Sequence, residues 1–274
     1  MEFKDQVVVI TGAGNGIGFG IASDFSKQGA KVVIAEINAS AGKRAEEFIN
    51  KQGGQALFVQ VDISNDEQVQ SLIQTVLQTW HKIDILVNNA GVVVHKALVD
   101  TTMEEWNRQL DVQLTGTFLM SKYVAKHMID RGGGGKMLNI SSVSAVMGRV
   151  KGGAHCVSKA GLTLLTKVFA MELGEHRINV NAVAPGLIDV PSQREEENIS
   201  SEYKNRYLAE LPLGRLGMPE DISNMVQFLC SSKADYITGQ LYLVDGGLMS
   251  GHYTFRGTHD FSMLYGHDDG EVSI

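Results

Sequence analysis

Gln6-Val7-Val8-Val9-Ile10, followed by Thr11-Gly12-Ala13-Gly14-Asn15-Gly16-Ile17-Gly18, decides the fold of this chain. The first segment reads as an apolar strand, and helical periodicity follows over Ile17–Gln28. Glycines at a strand-to-helix turn let the backbone approach a pyrophosphate without side chains in the way. The free N–H groups and positive dipole end of the following helix then face the anion. A glycine-rich turn alone is common, but here both flanking elements that the chemistry requires are present. A second apolar strand, Lys31–Ala35, ends at Glu36. The pattern predicts a dinucleotide site that includes Gly12, Asn15, Gly16 and Ile17. Glu36 predicts NAD as its cofactor, because a carboxylate accepts from both ribose hydroxyls and repels a 2′-phosphate. Where an NADP site offers arginine or lysine, this chain has Asn15, Ile37 and Asn38. The competing role for Glu36 is to cap the next helix.

Working outward, helical and strand patterns alternate to the end of the chain. A helix over Ala39–Lys51 precedes a strand over Ala56–Val61 that ends at Asp62-Ile63, and Asn65 or Asp66 caps a helix to Trp80. The strand Ile83–Val87 ends in Asn88-Asn89-Ala90-Gly91, and one long helix spans Glu104–Asp130. Then come a strand at Lys136–Ile140, a helix at Ala154–Leu173, and a strand at Arg177–Ala184 halted by Pro185-Gly186. A helix at Pro219–Cys230 and a strand at Gln240–Val244 complete the series. Such alternation predicts an α/β fold, a Rossmann-like doubly wound parallel sheet of about seven strands. It forms a single domain over residues 1–250 with a substrate loop at 187–213, and residues 251–274 are a C-terminal tail without periodicity.

Apolar residues make up 43% of the chain and charged residues 20%, which suits a large buried core. A formal net charge of −7 without any basic run argues against a nucleic-acid partner. No apolar stretch reaches the length of a membrane span. The chain enters its first strand after Met1-Glu2-Phe3-Lys4-Asp5, leaving no room for a signal peptide, so a cytoplasmic location is expected. Cys156 and Cys230 are expected as reduced, buried thiols.

Ligands of a doubly wound sheet bind beyond the carboxyl ends of its strands. That rim carries Asp62, Ile63, Asn89, Ser141-Ser142, Pro185-Gly186 and Ile188, and the cofactor candidates grow by Asp62, Ile63, Asn89, Pro185 and Ile188. Together with Ser158-Lys159-Ala160-Gly161, Asn179-Val180-Asn181, Leu213-Gly214-Arg215, Pro219-Glu220-Asp221 and Asp245-Gly246-Gly247, these pieces resemble the short-chain dehydrogenase/reductase family from residue 5 to about 250. The resemblance implies hydride transfer between a nicotinamide and an alcohol or carbonyl. It places the catalytic serine, tyrosine and lysine of the family at Ser142, His155 and Lys159, the last two also touching the cofactor.

Histidine therefore stands where the family has tyrosine. Two further departures surround the same ring: Gln113 aligns with a helix asparagine that supports a water relay, and Val190 with a threonine that bonds the carboxamide. An imidazole beside the Lys159 cation is expected to be neutral at pH 7 and to accept a proton, which suits alcohol oxidation. Its nitrogen falls roughly 2 Å short of a phenol oxygen; the longer Gln113 refills part of that space or supports the relay. The leading expectation is an NAD-dependent oxidoreductase interconverting a secondary alcohol and a ketone, with Ser142, His155, Lys159 and Gln113 as its catalytic group. The alternative is a redox-impaired or non-redox NAD-binding homologue: elimination, isomerisation, cyclisation or a scaffold role.

Arg149, Lys151 and Arg194 are candidates to hold an anionic group of that small-molecule substrate, or are solvated loop charges. His95 and Lys96 follow the Asn-Asn-Ala-Gly turn and approach the same region. The spacing of His252, His259 and His267 fits no metal-ligand pattern, so no metal is expected. The tail packs on a neighbouring subunit or covers the site, where Tyr253 or Tyr265 would supply the missing phenol. Surplus apolar residues on Glu104–Asp130 and Ala154–Leu173 lead, through the family resemblance, to an expected homodimer or homotetramer.

Overall fold

The computed structural model describes residues 1–190 and 201–251, the side chains of 201–204 excepted. In chain order the principal elements are β1 (Val7–Thr11), α1 (Gly16–Lys27), β2 (Lys31–Glu36), α2 (Ala39–Lys51), β3 (Gln55–Gln60), α3 (Asp66–Trp80), β4 (Ile85–Asn88) and α4 (Met103–Leu110). A π-helical turn at Asp111–Thr115 leads into α5 (Gly116–Arg131). There follow β5 (Gly135–Ile140), α6 (Gly153–Leu173), β6 (Ile178–Pro185), α7 (Ser201–Glu210), α8 (Pro219–Cys230) and β7 (Leu241–Val244). The seven strands form one parallel sheet in the order β3-β2-β1-β4-β5-β6-β7.

Alternation along the strands builds a core on each face. Val8 and Ile10 of β1 and Val32 and Ile34 of β2 pack with Ile21 and Phe25 of α1, Ile49 of α2 and Ile222 and Val226 of α8. Val7, Val9 and Val33 point the other way, against Leu72 of α3, Met120 and Val124 of α5 and Phe169 of α6. All these side chains are buried, each worth about 1.5–3 kcal/mol relative to exposure. The chain runs outward from β1 in one direction and from β4 in the other. The β1/β4 boundary is therefore the switch point at which a crevice opens beyond the strand ends.

Two expectations need correction. The single helix at Glu104–Asp130 is two helices joined by the π-helical turn. Cys156 is not buried like Cys230; it lies half-exposed on the shoulder of α6, beside the buried Ala154 and Ser158. Asn65 rather than Asp66 caps α3, accepting from the Gln68 N–H at 3.0 Å. No helix among the described residues is long and apolar enough to cross a membrane. Arg194, His252, Tyr253, His259, Tyr265 and His267 lie outside the described residues.

Candidate active site

The glycine turn is held open by β4. Thr11 Oγ1 accepts the N–H groups of Asn89 (2.9 Å) and Ala90 (3.0 Å), while Asn89 Nδ2 donates to the carbonyls of Thr11 and Gly12 at 3.0 Å each. Gly12 has φ +64°, and a Cβ there would sit 2.8 Å from Ala90 Cα. Gly16 has φ +61° and faces the crevice, where Val190 is the nearest neighbour at 3.4 Å from a built Cβ. Asn15 precedes α1 without a side-chain cap, so the first N–H groups of that helix remain available to an anion. The sequence pattern did not single out Thr11, whose hydroxyl ties two strands together; only its place directly before the glycines hints at the role.

Glu36 ends β2 with its carboxylate fixed in place. Oε2 accepts from the Gly14 N–H at 3.1 Å and Oε1 from the Asn38 N–H at 3.0 Å. The cap of α2 is instead Asn38, whose Oδ1 accepts from Ala41 N–H at 3.1 Å. Asp62 accepts from Ser64 N (2.9 Å) and Ser64 Oγ (2.6 Å), which orients the end of β3.

At the other end of the crevice, α6 presents His155 and Lys159 one turn apart. Lys159 is 5% exposed, and its Nζ donates to the Ile140 carbonyl at 2.7 Å. Burial pulls its pKa down to about 8. His155 is pulled down to about 4, first by burial and then by the positive charges of Lys159, Arg149 and His95. Burial thus outweighs the Lys159 cation as the reason the ring is neutral at pH 7. The π-helical turn delivers Gln113, 1% exposed, whose Oε1 lies 2.9 Å from His155 Nδ1 and whose Nε2 donates to the Val92 carbonyl. Gln113 thus bonds the imidazole directly, whereas the Lys159 ammonium is engaged elsewhere; the structure contains no Gln113–Lys159 hydrogen bond. Ser142 Oγ accepts the Ser144 N–H at 3.1 Å, leaving its hydroxyl proton to be donated into the crevice.

Every residue singled out above for catalysis or cofactor contact lines one cavity of about 530 Å³. Its wall also includes Val190, named above as a departure from the family pattern, and Arg108, which the sequence did not single out. Val190, 6% exposed, is held near the turn because Gly217 pairs with Ile188 and accepts from Asp189 N at 2.8 Å. Arg149, Lys151, His95 and Lys96 are not in that wall. Arg149 Nη2 instead lies 3.5 Å from His95 Nδ1, and Lys96 pairs with Glu105 at 3.0 Å. Among the described residues no cluster of ligating side chains could hold a metal ion.

Residues 12–249 match a family model described as enoyl-(acyl carrier protein) reductase. A 3-oxoacyl-(acyl-carrier-protein) reductase of Aquifex aeolicus is 38% identical over 90% of this chain and 100% of its own length. A sorbitol dehydrogenase of Cereibacter sphaeroides is 35% identical over 90% of this chain and 98% of its own. A solved short-chain type dehydrogenase/reductase from Mycobacterium marinum superposes with a TM-score of 0.86 at 32% identity, covering 91% of this chain and 98% of that one. A family model matching residues 12–249, relatives 35–38% identical over nearly the whole of their own length, and a superposition on a solved member make this chain an oxidoreductase that takes a nicotinamide dinucleotide, and it belongs to the short-chain dehydrogenase/reductase family.

Proposed function

We propose that the protein is an NAD-dependent dehydrogenase that oxidises a secondary alcohol to a ketone, and that His155 is its proton acceptor. The observation that carries this reading is a neutral imidazole in the same cavity wall as the Ser142 hydroxyl and the buried Lys159 ammonium. The dinucleotide, when bound, supplies the hydride acceptor. Ser142 donates to the substrate oxygen and orients it. Lys159, one helical turn from His155, holds the nicotinamide ribose. His155 takes the hydroxyl proton, and a depressed pKa keeps it in its accepting form throughout the neutral range. The same depression leaves almost none of the ring protonated at neutral pH, so it seldom carries a proton to donate and oxidation is the favoured direction. Because Nε2 reaches about 2 Å less far than a phenol oxygen, the substrate hydroxyl binds that much deeper against α6.

Glu36 supports NAD over NADP. Its two oxygens already accept backbone N–H groups, so the charge cannot swing away from a 2′-phosphate. Like-charge contact of this kind costs several kcal/mol, so kcat/KM is expected to favour NAD by about 10²-fold or more. Glu36→Ala should reduce that preference at least tenfold, read from kcat/KM with both cofactors. A wild-type enzyme that prefers NADP overturns the assignment.

We also propose that α5 and α6 pair with the same helices of a second copy. Val157 (49% exposed), Leu164 (64%) and Met171 (84%) share one side of α6, and Phe118 on α5 stacks on Phe169 with ring centroids 6.3 Å apart. A self-complementary apolar face of this kind is what a two-fold interface uses. Leu164→Arg is expected to shift the chain to monomer in sedimentation equilibrium; a wild-type monomer at micromolar concentration would dispose of this proposal.

A further inference from the structure

A carbonyl oxygen can only accept, so the Gln113 nitrogen that faces the Val92 carbonyl fixes which way the amide points. Its oxygen therefore faces the ring, and Nδ1 of His155, 2.9 Å away, must carry the hydrogen. A neutral imidazole has only one N–H, which leaves the lone pair on Nε2. Gln113 itself has little freedom to turn. It is 1% exposed and sits in the π-helical turn, where the Thr117 hydroxyl donates to its backbone carbonyl at 3.0 Å. Wide turns of this kind recur at functional sites because they swing one residue out of helical register.

We propose that Gln113 is a positioning residue that locks His155 as the Nδ1–H tautomer, so that Nε2 is the proton acceptor and returns its proton to solvent through the cavity mouth rather than to an internal relay. In the accepting step the substrate O–H bond breaks, its electron pair stays on oxygen, and an Nε2–H bond forms. The imidazolium so made has two N–H groups. The one on Nδ1 faces an amide oxygen, which is far too weak a base to take a proton at neutral pH. Lys159 offers no inward route either: an ammonium only donates, and its Nζ is bonded to the Ile140 carbonyl. The groups facing the ring are Gln113 from the π-helical turn, Lys159 from α6, and the charges of Arg149 and His95 from the two loops. None of these is a carboxylate that would hold the proton. The Nε2–H proton leaves by the path on which it arrived, after product departs.

The tautomer is independent of turnover, while the proton exit rests on the dehydrogenase reading; the two can fail separately. The test is long-range ¹H–¹⁵N correlation on histidine-labelled protein without cofactor at pH 7, with pH profiles of NAD-dependent oxidation alongside. The spectrum is expected to show His155 with protonated Nδ1 and unprotonated Nε2. Gln113→Leu should give mixed tautomers and a fall in kcat of roughly 10–100-fold with KM little changed. Gln113→Glu should keep the Nδ1–H tautomer while moving the acid limb of the profile upward by at least one pH unit, because a carboxylate stabilises the imidazolium. A merely structural glutamine would not move that limb. An Nε2–H tautomer in the parent protein, or an unchanged tautomer and pH profile in both variants, overturns the proposal. The expected tautomer without any dehydrogenase turnover leaves the lock standing and sinks the dehydrogenase reading and the proton exit with it.

Discussion

His155→Ala is expected to lower kcat for NAD-dependent alcohol oxidation by about 10²–10⁴-fold, the range contributed by a positioned general base. Ser142 and Lys159 stay in place in this variant, so substrate orientation and cofactor contact survive and the loss falls on proton transfer. The vacated volume in the cavity wall is shaped for the ring that was removed, and added imidazole should restore part of the rate. The pH profile identifies the base independently. With His155 pulled down to about 4, the accepting form persists as pH falls, and the acid limb of wild-type oxidation should lie near that value. His155→Tyr replaces it with a group that ordinarily titrates near 10, lowered by the Lys159 cation, so the limb should move above neutrality. The same depression bears on stability. Below its ordinary 6.5 the unfolded ring binds a proton that the folded one refuses until about 4, so this ring makes the wild type less stable as pH falls through that window. His155→Ala loses less over the same range. An alanine variant that oxidises substrate as fast as its parent ends the acid/base assignment.

The sheet was readable because its determinants are local. The unbroken apolar runs of β1 and β2, the glycine turn and the acid at the tip of β2 each lie within a few positions of the structure they produce. Boundaries slipped where a distant group takes over a backbone N–H. The expected strand at Ile83–Val87 starts later, as β4 at Ile85, and the Ile83 N–H goes to His127 Nε2 from α5 at 3.2 Å. The break between α4 and α5 left no trace in the pattern, since the apolar spacing of Leu110, Leu114 and Phe118 runs straight through the π-helical turn. His155 and Gln113 were both conspicuous as departures from the family pattern. That they form one hydrogen-bonded pair was not, because 42 residues separate them and only the fold brings α6 against the widened turn. Two replacements that look independent in sequence are one feature in space. The longer amide reaches the shorter ring and meets the polar atom that a phenol would not place there.

Lys159→Met is expected to abolish oxidation while stabilising the protein without cofactor at pH 7. The ammonium is 5% exposed, has no carboxylate partner among the described residues, and is satisfied by one carbonyl, that of Ile140. Its pKa of about 8, against an ordinary 10.5, measures the cost of keeping that charge buried. At 1.36 kcal/mol per unit the cost is on the order of 3 kcal/mol. Methionine of similar length removes it and leaves the Ile140 carbonyl without a donor, which returns about 1 kcal/mol or more. The net gain is about 1–2 kcal/mol, a rise in Tm of a few degrees for a chain of this size. The sign of the pH dependence checks the cause. Between pH 8 and 10.5 the unfolded chain holds the lysine proton more tightly than the folded one, so this group makes the wild type more stable as pH rises through that window. The methionine variant lacks that gain, so its advantage should vanish at about pH 9 and become a deficit of about 1 kcal/mol, the lost Ile140 hydrogen bond, by pH 10.5. A variant less stable than wild type at pH 7, or an advantage independent of pH, would mean that the cavity was shaped around the charge rather than strained by it.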